Sequence, residues 1–241
     1  MSLSVLSYNI HECVGLDDRR DPSRIAQVIK ESGSQIVGLQ EVHSDASGEA
    51  HLHQMNYLAA ATGLQAVAGP AVERRNGHYG NVLLTSCKVL AVHKLDLSYL
   101  RREPRGAIDA DLDIDGEAVR VIVTHLGLLP VERRFQVRKL LNALSEQRTR
   151  IVILLSDFNE WLPTGRSLRW IHTQLGKTAL VRTFPSRFPL FALDRIWVSP
   201  PAALVGLSCI RTPLSRLASD HLPLKATIKT ASLNQNSRPR R

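Results

Sequence analysis

The sequence predicts a layered α/β sandwich built on mixed β-sheets. Short apolar runs alternate with amphipathic helical patterns along the 241-residue chain. In the middle of the chain several strand patterns follow one another directly, which breaks a strict alternation of strand and helix. This order favours layered sheets over a Rossmann sheet or a barrel. The chain has neither a GxGxxG motif nor a Walker loop, which excludes the dinucleotide-binding and P-loop classes.

The first quarter of the chain reads as strand, helix, strand and helix. The strand patterns cover residues 3–10 and 36–39, and the helical patterns cover residues 22–32 and 49–61. Asp21 and Pro22 are the N-cap and the first residue of a helix, and Gly33 ends it. The second strand is short and apolar and leads directly into Gln40 and Glu41.

The remainder contains a run of strands and then strands mixed with helices. Strands are expected over residues 81–85, 89–95, 107–114, 119–124, 151–155, 195–198 and 222–228, and helices over 131–146 and 165–175. Asp115 and Gly116 form a hairpin signal between two of the strands. The strand at 151–155 is apolar throughout, as expected for a strand that is buried on both faces.

That central strand delivers an acid and an amide to its end. Asp157 and Asn159 are two residues apart, so in extended chain both side chains project to the same side. An acid that accepts a proton and an amide that fixes orientation suit a hydroxyl nucleophile such as water. The alternative is a simple turn, in which Asp and Asn are common.

The same arrangement recurs at four other strand ends. The residues concerned are Gln40 and Glu41, Thr124 and His125, Asp194, and Asp220 with His221. Taken singly, a carboxylate of this kind is usually a solvated loop residue and a histidine is usually part of the core. Repetition at five termini favours a site, because strand ends are where sites assemble in α/β sheets.

The residue types indicate metal-assisted chemistry. The set contains carboxylates, Asn and His but no thiolate candidate, and hard oxygen ligands suit Mg²⁺ or Mn²⁺. Such an ion polarises a phosphoryl oxygen and lowers the pKa of bound water. Asp194 with His221 is the candidate pair in which a carboxylate orients an imidazole and stabilises its cation.

Six short motifs in order then resemble the endonuclease/exonuclease/phosphatase superfamily. They are SYNIH at 7–11, LQEV at 39–42, THL at 124–126, SDFN at 156–159, LDRI at 193–196 and SDHLP at 219–223. The resemblance implies a four-layer DNase I-like α/β sandwich, with two mixed sheets packed face to face and helices outside. We expect this domain to span residues 1–230 and residues 231–241 to form a disordered basic tail, since residues 234–241 show no apolar periodicity.

The resemblance also implies a role for each matching position. Asn9, Glu41 and Asp220 would bind the metal. Asp157 and Asn159 would orient or deprotonate the attacking water. His125 would contact the scissile phosphate, and His221, held by Asp194, would stabilise or protonate the transition state. HYGN at 78–81 and REPRG at 102–106 resemble a bacterial branch of the superfamily and give Asn81 and Arg105 as substrate-binding candidates.

The charge balance leaves the class of phosphorylated substrate open. The net charge of +9 favours nucleic acid, phospholipid surfaces or phosphorylated small molecules. We expect the basic clusters at 101–105 and 133–139 to be solvated faces. Three hypotheses follow: hydrolysis of a lipid-derived or small phosphoester, Mg²⁺-dependent cutting of DNA or RNA, and a non-catalytic phosphate-binding module. The first is favoured, since the 5% aromatic content gives little support for a stacking platform.

The cysteines and the hydropathy predict a cytoplasmic monomer. Cys13, Cys87 and Cys209 show neither a disulfide framework nor a zinc pattern, and the last two are expected to be buried thiols. The first residues lack the basic start and long apolar stretch of a signal peptide. Since no apolar run approaches the ~20 residues of a membrane helix, we expect no transmembrane segment and peripheral membrane contact at most.

Overall fold

The fold is a four-layer sandwich of two mixed β-sheets with helices on both outer faces. The computed structural model describes residues 2–45, 53–74, 77–146 and 149–230. The basic tail expected at 231–241 lies outside these residues. The layered architecture confirms the fold class that the sequence predicts.

The first sheet has six strands in the order β10-β11-β1-β2-β4-β3. The strands are β1 (Ser2–Asn9), β2 (Ile36–Asp45), β3 (Gln65–Arg74), β4 (Gly77–Thr85), β10 (Leu204–Cys209) and β11 (Leu224–Lys229). Strands β1 and β2 are parallel, and the other neighbours are antiparallel. The polar end of β1 therefore lies beside the polar end of β2.

The second sheet has five strands in the order β5-β6-β7-β8-β9. The strands are β5 (Lys88–Asp96), β6 (Gly106–Ile114), β7 (Glu117–His125), β8 (Ile151–Asp157) and β9 (Asp194–Ser199). Strands β7 and β8 are parallel, so that His125 pairs with Asp157 in the ladder. Strand β9 runs antiparallel to β8 and places Asp194 opposite Asp157.

Three apolar clusters hold the layers together. The central cluster joins the inner faces of the sheets, with Val5 and Leu83 from the first sheet and Val121 and Leu155 from the second. Helices α1 (Pro22–Ser32), α2 (Gln54–Thr62) and α5 (Pro213–Ala218) cover the first sheet, and α3 (Pro130–Ser145) and α4 (Arg166–Leu175) cover the second. Asp21 caps α1 by accepting from the Ser23 amide, and Gly33 ends it with a φ of 60°.

Strands β3 and β10 and helix α5 are absent from the sequence-based expectations. Gly69 and Pro70 interrupt the β3 pattern, and both new strands lie at the edges of their sheet, where proline is tolerated. A Cβ at Gly69 would stand 2.3 Å from Ile108 Cγ1, so this glycine permits close approach of the two sheets. The helix expected from residue 49 begins at Gln54 in the described part of the chain.

Two expectations about burial are wrong. Arg133, expected on a solvated face, is buried in a two-point ion pair with Glu160, and Arg105 is buried as well. The thiols of Cys87 and Cys209 are only half-buried, and both are free. Runs of Arg and Lys do not distinguish solvated guanidinium groups from buried ones, because the buried partner lies far away in the sequence.

In the described part of the chain, no helix is both long and apolar enough to cross a membrane.

Candidate active site

The polar strand ends of both sheets meet at one edge of the sandwich. Asn9 ends β1 and Glu41 lies in β2 of the first sheet. His125 ends β7, Asp157 ends β8 and Asp194 begins β9 of the second sheet. The structure thus brings together side chains that are up to 185 positions apart in the chain, as the Asn9–Asp194 separation shows.

Asn9 joins the two sheets at this edge. Its Nδ2 donates to Glu41 Oε1 and to Asp157 Oδ2, each at 2.9 Å. Its Oδ1 accepts from the backbone amide of His11 at 3.0 Å. In this orientation Asn9 holds the two carboxylates in place through its amide nitrogen, and its metal-ligand role stays a prediction.

A local irregularity of β2 aims Glu41 at the site. The pairing of β2 with β4 shifts register between Leu39 and Val42, and Glu41 has a φ of 56°. Bulges of this kind redirect a side chain beside functional sites. A left-handed backbone at a non-glycine residue costs about 1–3 kcal/mol, which the surrounding sheet must offset. Asn159, also at positive φ (50°), shows that the strain recurs at this edge.

Asn159 and His125 form a buried pair behind Asp157. Asn159 Nδ2 lies 2.9 Å from His125 Nε2 and donates to the Leu126 carbonyl at 2.9 Å, while its backbone amide donates to Asp157 Oδ1 at 3.1 Å. Burial, together with the positive charge of Arg105, holds the pKa of His125 well below its usual value. The neutral imidazole is therefore favoured, and its Nε2 lies between the Asn159 amide nitrogen and Asp157 Oδ2, which is 3.4 Å away.

Crowded carboxylates make the site suited to a divalent cation. Burial, reinforced by the charges of Asp194 and Glu41, raises the pKa of Asp157 to about 6, and burial also raises the pKa of Glu41. One ligand atom from each of Glu41, His125 and Asp157 lies within 4.8 Å of the others. A divalent cation among these atoms would relieve the carboxylate repulsion, so this acidic and histidine cluster could bind a metal ion.

A second histidine near Asp157, His221, is held by Asp194. His221 Nδ1 lies 2.8 Å from Asp194 Oδ2, and Thr183 donates its hydroxyl to the same oxygen. Burial alone would lower the pKa of His221, but the charges of Asp194 and Asp157 outweigh it and raise that pKa to about 10. The imidazole is thus cationic, and its Nε2 faces Asp157 Oδ2 at 3.8 Å.

The remaining three candidates lie around this centre. Arg105 Nη1 is 3.4 Å from His125 Nδ1, and Arg105 Nη2 donates to Glu103 at 3.0 Å. Asp220 Oδ1 lies 3.9 Å from His11 Nδ1. The negative charge of Asp220 contributes to the raised pKa of Glu41.

Asn81 stands slightly apart from the others. Its Nδ2 donates to the Gly106 carbonyl at 2.9 Å, and Thr124 donates to the same oxygen. Asn81 thus braces the segment that follows Arg105, and direct contact with substrate stays a prediction.

A cavity of about 270 Å³ opens onto these groups. Its lining combines the charged residues with side chains that sequence reasoning did not select: Tyr79, Glu103, Leu128, Trp161, Phe184 and Leu193. Tyr79 and Glu103 fall within the HYGN and REPRG segments, and Trp161 follows SDFN by two positions. Their place in the cavity lining could therefore be predicted only from their closeness to these motifs in the sequence. Thr183 belongs to no motif, and no local signal points to its contact with Asp194.

The fold and the site together define a known family of proteins. The model of the endonuclease/exonuclease/phosphatase family matches residues 6–221. The chain therefore belongs to the endonuclease/exonuclease/phosphatase family, whose members hydrolyse phosphoesters.

Individual relatives agree with this assignment. The Escherichia coli K12 protein YbhP is 32% identical over 249 aligned residues, covering 94% of this chain and 96% of YbhP. Among solved structures, a family member from Bacteroides vulgatus aligns with a TM-score of 0.77 at 19% identity, covering 95% of this chain and 99% of that one. A mannosyl-6-phosphatase from Bacteroides thetaiotaomicron aligns with a TM-score of 0.73 at 20% identity, covering 93% and 98%. At these identities the two structures show the shared fold.

Proposed function

We propose that this chain is a divalent-metal-dependent phosphoester hydrolase that activates water for attack on a phosphoryl group. One observation carries the proposal. Glu41 from the bulge in β2, Asp157 from the end of β8 and two buried histidines, His125 and His221, all line a single cavity. A nucleophile, a proton acceptor and a stabiliser of developing charge require those groups within a few ångströms of one another.

Glu41, Asn9 and Asp220 are the proposed metal-binding residues. Glu41 carries the principal carboxylate, Asn9 fixes its direction, and Asp220 adds negative charge close by. When bound, Mg²⁺ or Mn²⁺ would polarise a phosphoryl oxygen. Burial raises the pKa of Glu41 because it disfavours the charged carboxylate. A positively charged ligand would stabilise that charge, so this position suits a cation.

Asp157 and Asn159 are assigned to the attacking water. Asp157 accepts one proton of the water while the water oxygen forms a bond to phosphorus. The Asn159 backbone amide donates to Asp157 Oδ1 and the Asn9 amide nitrogen donates to Oδ2, so both carboxylate oxygens are fixed in position. Fixing the proton acceptor in this way lowers the entropic cost of the step.

His221, Asp194, His125 and Arg105 are assigned to the phosphoryl group. As the bond from phosphorus to the leaving oxygen breaks, His221 donates its Nε2 proton to that oxygen, and Asp194 stabilises and orients the imidazolium through Nδ1. The guanidinium of Arg105, adjacent to His125, matches phosphate oxygens. The products are an alcohol and a phosphate bearing the oxygen from water.

A substrate panel tests this function. Wild-type protein is assayed against bis-p-nitrophenyl phosphate, p-nitrophenyl phosphate, phospholipid, plasmid DNA and an RNA oligonucleotide, each with Mg²⁺, with Mn²⁺ and with EDTA. We expect metal-dependent, EDTA-sensitive turnover of a non-nucleic-acid phosphoester. Cutting of plasmid or RNA alone would favour the nuclease hypothesis, and tight phosphate binding with no turnover of any substrate would favour a binding module.

A further inference from the structure

A loop of unusual surface character stands beside the cavity. Phe188 and Leu190 are 67% and 61% exposed, although side chains of this size are normally withdrawn from water. They belong to residues 185–190, which we call the apolar loop and which connects the segment of Phe184 to that of Phe191. Trp161, whose ring contacts Phe191 at the base of the loop, and Leu162 are exposed as well. Contiguous apolar surface of this kind marks an interaction site.

Hydrogen bonds at the base of the apolar loop fix its position. Phe184 and Phe191 exchange backbone hydrogen bonds of 3.0 and 2.8 Å. Between them, the Ser186 amide donates to the Asp220 carbonyl at 2.6 Å, and the Ser186 hydroxyl donates to the Ser219 carbonyl at 2.7 Å. The exposure of the tip is therefore imposed by a fixed frame anchored to the segment that carries the site.

Aromatic rings connect the apolar loop to the reacting groups. The Trp161 ring lies 4.8 Å from the Phe191 ring and 5.8 Å from the Phe184 ring, between centroids. The Phe184 ring lies 4.8 Å from the imidazole of His221. An apolar group of a bound substrate could thus extend from the phosphoryl position along this wall to the tip of the loop.

The part of the chain that contains the apolar loop is basic in sequence. Between Trp161 and Ser219 it has eight Arg or Lys residues and a single acid, the buried Asp194, and the acids Glu160 and Asp220 lie just outside this stretch. Arg187 lies in the apolar loop itself, with its guanidinium 5.6 Å from the Phe188 ring centroid. An exposed apolar side chain beside an arginine matches the interface of an anionic lipid surface. The Phe188 ring would enter the boundary of the acyl chains, and the Arg187 guanidinium would contact the anionic headgroups.

We propose that the apolar loop docks this protein on an anionic lipid surface and presents the cavity to phosphoesters embedded there. The surface attachment stands independently, and the assignment of an embedded substrate rests on the proposed function. A single-stranded nucleic acid fits less well, since only Phe188 and Trp161 of the four exposed side chains offer a ring on which a base could stack, and Leu190 and Leu162 would lie against a charged backbone.

Vesicle binding of a loop variant tests the docking. The double variant Phe188→Ser, Leu190→Ser is compared with wild type in co-sedimentation with vesicles of phosphatidylglycerol and phosphatidylcholine in equal parts, in EDTA. We expect the variant to bind about tenfold more weakly or worse, since two large apolar side chains no longer enter the interface. The matched control, Leu90→Ser with Val205→Ser, removes exposed apolar residues from the edge strands β5 and β10 and should bind like wild type.

Three outcomes would overturn the proposal: wild type that fails to bind the vesicles, a loop variant that binds them as wild type does, or an equal loss in the edge-strand control. Turnover of soluble bis-p-nitrophenyl phosphate with Mn²⁺ is measured in parallel and should be unchanged in the loop variant. A parallel fall in that turnover would contradict a role confined to the lipid surface. If wild type hydrolyses no phosphoester yet its vesicle binding depends on the apolar loop, the docking is upheld and the proposed function alone fails.

Discussion

Replacing Asp194 by Asn tests the charge that holds His221. The two side chains form a fully buried contact of 2.8 Å, and asparagine can keep that hydrogen bond while removing the negative charge. A unit charge about 4 Å from an opposite charge is worth about 4 kcal/mol at the effective dielectric constant of protein sites. If the transition state requires the imidazolium, kcat falls about 10³-fold, because each 1.36 kcal/mol corresponds to a factor of ten.

The assay is the pH dependence of kcat/KM on bis-p-nitrophenyl phosphate with Mn²⁺. Burial disfavours the imidazolium once the carboxylate charge is gone, so the pKa of His221 falls and the alkaline limb of the profile moves to lower pH. As a control, Thr183→Val keeps the charge of Asp194, removes the hydrogen bonds of the Thr183 hydroxyl with the Asp194 carboxylate and backbone amide, and should cost about tenfold or less. An Asp194→Asn protein that melts like wild type and keeps kcat within about threefold would refute this reasoning.

Three further predictions concern stability. Asp109→Ala removes the carboxylate that forms a buried ion pair with Arg120. It should lower the free energy of unfolding in urea by about 3–5 kcal/mol. An effect under about 1 kcal/mol would mean that the pair is hydrated. Gly69→Ala should lower the free energy of unfolding by about 1–3 kcal/mol, because the added Cβ clashes with Ile108. Gly206→Ala is the neutral control, since a Cβ there would meet Thr227 only at 3.9 Å. Adding Mn²⁺ at about 100 times its Kd to EDTA-treated protein should stabilise it by about 2.7 kcal/mol and raise Tm by roughly 5–10 °C, and an unchanged Tm would argue against the metal site.

The central strands could be predicted because their signals are local. Strand β8 has five consecutive apolar residues, 151–155, shortly before Asp157, and strand β1 has a shorter apolar pattern around Val5 and Leu6 before Asn9. Burial on both faces produces such runs directly. The edge strands β3 and β10 were missed because each lies half in solvent and contains glycine, so that neither apolar continuity nor strict alternation survives.

Site residues were predictable where a motif marks a strand end and not where the contact depends on tertiary structure. Glu41 follows an apolar run, but the bulge and positive φ that turn it into the cavity leave no trace in the sequence. Thr183 and Phe184 lie in an irregular segment and reach the Asp194–His221 pair only because the chain folds back along β9. Arg133 reads as a surface cation until Glu160 is brought beside it.

Water activation by Asp157 within a metal-binding cluster is the step on which the proposed hydrolysis depends. It is tested by the turnover of bis-p-nitrophenyl phosphate with Mn²⁺ by wild type, by Asp157→Asn and by Asp115→Asn, which changes an acid in the β6–β7 hairpin at the end of β7 away from His125. We predict EDTA-sensitive turnover by wild type and Asp115→Asn, and a loss of about 10²–10⁴-fold in Asp157→Asn. Undiminished turnover by Asp157→Asn, or wild-type turnover that persists in EDTA, would contradict the account.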